Sequence, residues 1–181
     1  LDAPFRNRTC FFLGFRMTST SEPLPLRQRL AANAWFRALP AKHFETLLSG
    51  ASERTWDAGA IIFREGEPTD FLYLLLEGAV ALEIHLPARG RQTILTLGPN
   101  EVLGWSAMIP AVRLRTATAR ALEPTRAASF DAAALRAACE SDHDLGYYIY
   151  RRLANVIAAR LTATRLQLLD LYASPTSSVP S

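Results

Sequence analysis

AGAIIFREGEPTDFLYLLLEGAVAL, residues 58–82, decides the fold class. It holds two short β-type runs, AIIF (60–63) and FLYLLLEG (71–78), divided by a Gly66-Glu67-Pro68 turn. A third run, AVALEIHL (79–86), follows Gly78 at once. The pattern continues outward through QTILTL (92–97) and TATARAL (116–122). Turn signals separate these runs: Asp57-Ala58-Gly59, Pro87 to Gly90, and Gly98-Pro99-Asn100. Several short strands at this spacing between Arg54 and Phe130 predict an all-β sandwich or barrel. Gly59, Gly66, Gly78, Gly98 and Gly104 stand between the runs, where a reversal often needs a positive φ that only glycine adopts without steric cost.

Both flanks read as helix, so the fold class is mainly β with flanking α, an α+β chain. Leu26 to Leu39 carries a helical pattern with Trp35, Phe36 and Leu39 near one face, and Pro40 ends it. A second short helix fits Ala41 to Ser49, stopped by Gly50. After the strands, DAAALRAACESD (131–142) is a short helix with Asp131 as its N-cap. Asp142 to Tyr172 supports one long helix with no interior proline and only Gly146 near its start. The expected organisation is an extension and linker over 1–25, a β unit with its helices over 26–141, the long helix over 142–172, and a Ser/Pro-rich disordered tail over 173–181.

Composition excludes several classes. A chain of 181 residues that is 49% hydrophobic and 20% charged is globular, and its apolar runs are too short to span a bilayer. The apolar patch Cys10 to Phe15 is short for a signal sequence, and no small-residue cleavage site follows. Residues before Met17 lack periodicity, and a start at Met17 is an expectation for the native protein. The net charge of +3 owes +2 to residues 1–16, leaving 17 basic against 16 acidic residues from Met17 onward. No basic stripe tracks phosphates. Cys10 and Cys139 form neither a disulfide framework nor a metal set, and a reducing cytoplasm is the simplest compartment. His43, His85 and His143 are scattered without metal-ligand spacing. There is no nucleophile elbow, P-loop or dinucleotide fingerprint, so an enzyme is not expected.

The glycine frame, together with Phe63, Tyr73, LGPNEVLG (97–104) and RTATARA (115–121), resembles a cyclic nucleotide-binding domain of the bacterial catabolite-activator (Crp/Fnr) type. The resemblance covers roughly Leu39 to Tyr172. It implies a jelly-roll β-roll with short N-terminal helices and a long C-terminal dimerisation helix. It also places a phosphate cassette at GWSAMIPAVRLRT (104–116). Leu103, Gly104, Trp105 and Ser106 open that cassette, and Arg115 and Thr116 close it. N–H groups at the start of a short helical turn attract an anion, and an arginine pairs with phosphate oxygens. No cofactor is required; the ligand implied is cyclic AMP or cyclic GMP. One position departs from the family. Trp105 stands where a glutamate that binds the ribose 2′-hydroxyl is usual, and an indole offers a donor but no acceptor. The lost hydrogen bond is worth about 1–3 kcal/mol. Two readings stay open: a site for a nucleotide-like anion, and a degenerate domain whose pocket Trp105 fills.

In the long helix Tyr147, Tyr150, Ala154, Ile157, Leu161, Thr164, Leu168 and Leu171 alternate steps of three and four, an a/d seam for a two-stranded coiled coil. A second apolar set, Leu145, Ile149, Leu153, Val156 and Leu166, is available to pack on the β unit. The expected assembly is a parallel homodimer through 147–171; a helix that only packs on its own β unit is the alternative. AARLTATRL (158–166) resembles the family's dimer helix, which implies a base contact from Thr164 across the interface, with Arg165 where a serine is common. In the family's transcription factors a helix-turn-helix follows this helix. Nine residues follow Tyr172 here, so specific DNA binding is not expected of this chain, nor is membrane association. It reads as a sensor module, with a partner-dependent or truncated regulator as a further alternative.

Overall fold

The computed structural model describes residues 24–173. The extension before Leu24 and the tail from Ser174 lie outside the described residues, and so does the expectation about Met17. Eight strands form two four-stranded antiparallel sheets. They are β1 (Ala51–Trp56), β2 (Ile61–Phe63), β3 (Phe71–Glu77), β4 (Val80–Leu86), β5 (Gly90–Leu97), β6 (Val102–Leu103), β7 (Thr118–Ala121) and β8 (Thr125–Asp131). One sheet runs β1-β8-β3-β6 and the other β2-β7-β4-β5. Helices α1 (Leu26–Ala32), α2 (Ala41–Ser49), α3 (Ala132–Ser141) and α4 (His143–Ala173) flank them.

The apolar run in β3 has a direct cause. Alternate strand residues face opposite sides, and here both sides are covered. Tyr73 and Leu75 point into the roll with Phe63, Val80, Leu97, Leu103, Ala119 and Ala127. Leu72 and Leu74 point the other way, into a core shared with the helices through Leu30, Phe36, Leu47, Leu135, Cys139 and Phe130. Leu145, Ile149 and Leu153 of α4 enter that same core and are at most 5% exposed. The burial pushes the Cys139 thiol up to about 11.

Three expectations need correction. The first helix ends at Ala32, not Leu39. Asn33 breaks it: its Oδ1 accepts from the Trp35 amide at 2.9 Å and its Nδ2 donates to Asn100 at 2.7 Å. A side chain that bonds its own downstream backbone competes with the helix. Second, Gly59, Gly66, Gly78 and Gly104 take positive φ but Gly98 does not; Asn100 (φ 70°) supplies the reversal in that turn. Third, Leu166 is 58% exposed and does not join the packing face of α4.

The junction between α3 and α4 is tight. A Cβ on Gly146 would stand 2.6 Å from the Cys139 carbonyl oxygen. The entry to α4 is held by Asp142, whose Oδ1 accepts from the Leu145 amide at 3.2 Å. Its Oδ2 meets Lys42 Nζ at 2.8 Å and His43 Nε2 at 3.2 Å, tying α2 to α4. Asp131 caps α3 as expected, accepting from the Ala134 amide at 2.8 Å.

The hydrogen bond from Lys42, then that from the Leu145 amide, hold the Asp142 carboxyl at about 2, below the usual carboxylate range. A depressed carboxylate stabilises the fold above its unfolded value near 4 and loses that contribution as pH falls through its folded value. Asp142→Asn therefore has a lower urea midpoint than wild type at pH 6, and the gap closes as pH drops from about 4 toward about 2. A gap independent of pH refutes the ionic contribution.

Candidate functional site

The GWSAMIPAVRLRT segment begins where β6 ends. Gly104 has φ 74°, and a Cβ there would lie 2.5 Å from Arg115 Nη1 and 2.9 Å from the Phe71 carbonyl oxygen. Only glycine meets both constraints. A 3₁₀ turn, Trp105–Met108, follows. Arg136 of α3 donates to the Ala107 carbonyl and Tyr150 of α4 to that of Met108, so the turn is held from two helices.

Arg115 is 4% exposed. Its backbone pairs with the Gly66-Glu67 turn: the Arg115 amide donates to Glu67 at 2.8 Å, and the Gly66 amide donates to Arg115 at 2.9 Å. Its guanidinium lies 4.2 Å from the centroid of the Phe63 ring. Nη2 donates to the Phe71 carbonyl at 2.8 Å and Nη1 to that of Gly104 at 3.3 Å, while Nε has no partner among the described residues. Burial pulls its pKa below the ordinary value, with Tyr73, Asp70 and Glu67 opposing.

A cavity of about 40 Å³ opens between this arginine and α4. Gly104, Trp105, Ser106, Arg115 and Thr116 line it, with Phe63, Leu82 and Ala117 as apolar wall. Arg160 of α4 completes it. This arginine donates to the Val102 carbonyl, and burial lowers its pKa also, against Glu101. Arg160 was not among the residues singled out in the sequence. The signal was present: the apolar stripe Leu145, Ile149, Leu153, Val156 continues by one step of four to Arg160.

The other expected site residues divide. Leu103 is fully buried in the roll core and its side chain does not line the cavity. Trp105 lines it and also packs on the helix-side core. Thr164 and Arg165 are exposed on α4 and do not line the cavity within one chain. No group of three or more His, Cys, Asp or Glu comes together among the described residues. None of the described helices is long and apolar enough to cross a membrane.

The sequence model of the cyclic nucleotide-binding domain matches residues 53–142, from β1 to the start of α4. Residues 53–142 form a cyclic nucleotide-binding domain. The chain is 35% identical over 115 residues to a CRP-like cAMP-activated global transcriptional regulator of Mycobacterium tuberculosis. That match covers 62% of this chain and 48% of the regulator, so the chain spans about half the length of the curated relatives it matches. Among solved structures it is similar to a cyclic nucleotide-binding domain from Methylobacillus flagellatus, with 25% identity and a TM-score of 0.66 over 77% of this chain and 75% of that one. It is also similar to the Thermus thermophilus catabolite activator protein, with 26% identity and a TM-score of 0.61 over 76% of this chain and 62% of that one.

A buried cation costs desolvation that its hydrogen bonds only offset. In this domain Arg115→Met, which keeps the stem and removes the charge, changes the unfolding free energy by less than about 1.5 kcal/mol. A loss above about 3 kcal/mol in urea unfolding shows instead that Arg115 is a strut of the roll.

Proposed function

We propose that this chain is a non-enzymatic sensing module that binds a cyclic nucleotide, cyclic AMP or cyclic GMP, or a related anion, and passes binding to its long helix. One observation carries the reading. Two guanidinium groups, Arg115 from the roll and Arg160 from α4, converge on one cavity beside the Gly104–Ser106 turn. A ligand phosphate there joins the roll to the helix through charge-assisted hydrogen bonds.

The cavity is small. About 40 Å³ accommodates a few water molecules, whereas small-molecule sites run from about 300 Å³. A nucleotide enters only if Trp105 or Arg160 moves, and movement of Arg160 breaks its bond to Val102. Where Arg160 moves, ligand binding is coupled to the contact between α4 and the roll, which is what signalling requires.

The second half of the reading is a parallel homodimer in the cytoplasm. Tyr147, Tyr150 and Leu161 are 68%, 38% and 50% exposed, and all three lie on the a/d seam. A second copy covers them and brings its Thr164 and Arg165 toward the ligand base. The regulatory output of the longer M. tuberculosis relative extends to this chain through a longer protein or a DNA-binding partner. A ligand-free adaptor is the competing reading, favoured by the small cavity and by the packing of Trp105 on the core.

Titration calorimetry with cyclic AMP and cyclic GMP separates the two. The sensing module releases or takes up heat with at least one of them below millimolar ligand, and Arg115→Met abolishes the signal. Silence from wild type with both ligands, and with non-cyclic nucleotides at millimolar concentration, leaves the adaptor. Sedimentation equilibrium tests the seam: wild type is a dimer at micromolar concentration, Leu161→Asp shifts it to monomer, and a wild-type monomer refutes the assembly.

A further inference from the structure

Within the cavity the charges do not balance. Arg115 and Arg160 both line it, and no aspartate or glutamate does. Neither arginine forms an ion pair among the described residues. Nearby carboxylates are turned to other work: Glu67 accepts from the Arg64 amide at 2.8 Å and Glu101 from the Gly98 amide at 2.7 Å. The remaining polar lining is Ser106, Thr116 and the Trp105 indole, none of which carries charge at neutral pH.

A cyclic phosphodiester brings one negative charge. A terminal phosphate monoester brings close to two at neutral pH, since its second pKa is about 6, and it has three strong acceptor oxygens. Two guanidiniums, Arg115 buried and Arg160 half-buried, in a small cavity with an apolar wall match the second species. Trp105 acts in the same direction: it supplies no acceptor for a ribose hydroxyl, so recognition rests on the phosphate.

We infer that this site selects a nucleotide bearing a terminal phosphate monoester over a cyclic monophosphate, with Arg160 as the residue that sets the preference. This rests on the anion-binding reading proposed above. The shared chemistry is a phosphate monoester, whether on a nucleoside or as free inorganic phosphate.

Calorimetry on the full chain tests it with adenosine 5′-monophosphate, cyclic AMP and inorganic phosphate as probes. At pH 7.5 the 5′-monophosphate binds at least about tenfold tighter than cyclic AMP, the value of one further charged hydrogen bond. Lowering the pH to 5 weakens the 5′-monophosphate by about tenfold as its phosphate gains a proton. Cyclic AMP keeps one charge throughout and reports any titration of the protein itself. Arg160→Gln, checked for an unchanged cooperative melt, brings the two nucleotides within about twofold. Inorganic phosphate that competes with the 5′-monophosphate supports the same preference from the free-anion source. Equal or tighter binding of cyclic AMP at pH 7.5 overturns the inference and leaves the sensing module standing. A pH response shared by both nucleotides overturns it also. Absence of binding by all three probes overturns the inference, and the sensing module then stands or falls on cyclic GMP.

Discussion

The rotational phase of α4 is the constraint on which the site and the proposed assembly depend. Leu145, Ile149 and Leu153 are buried in the core beneath the first sheet, and an α-helix offers no freedom to turn one residue without turning the rest. With that face fixed, Val156 and Arg160 follow on the same side. Tyr147, Tyr150 and Leu161 are left on the side that faces solvent. The α3–α4 junction sharpens the phase, because Gly146 lets the Cys139 carbonyl approach where any side chain would block it. An arginine at the end of an apolar stripe is costly in a core. It is tolerated here because the stripe runs off the core and onto the cassette.

The same economy explains Arg115. A guanidinium buried to 4% exposure needs acceptors, and the roll supplies backbone carbonyls in place of a carboxylate. Gly104 and Phe71 come from one side and the Phe63 ring from the other sheet, so the charge sits where the two sheets meet. Carbonyl dipoles satisfy hydrogen bonds without cancelling charge. The cavity is therefore left electrostatically positive.

Much of the fold was legible in the amino-acid sequence because its signals are local. FLYLLLEG reads as a strand with apolar residues on both faces, and a two-sided core is what β3 has. Asp131 reads as a cap from its position alone. The departures involve contacts that are not local. Asn33 and Asn100 are bonded to each other across 67 positions, one where the first helix ends and the other where a loop reverses. No window of sequence contains both. β6 is two residues long, too short for any period to show, although it positions the cassette. The candidate site was half legible. Arg115, Gly104 and Ser106 fall in the glycine frame, whereas Arg160 was hidden because an apolar stripe is counted by its apolar members. The small size of the cavity depends on side-chain packing around Trp105, which spacing does not encode.

A helix held at one end and free at the other acts as a pointer. The buried anchors of α4 stop at Leu153, and Arg160 makes its last described hydrogen bond to the roll. From Arg160 to Ala173 the helix extends for about 20 Å at about 1.5 Å per residue. Pivoting it by about 10° at Arg160 sweeps its far end through roughly 3–4 Å on that length. A rearrangement no larger than the departure of one side chain from one carbonyl is thus magnified along the rod, to a distance at which a neighbouring molecule can register it.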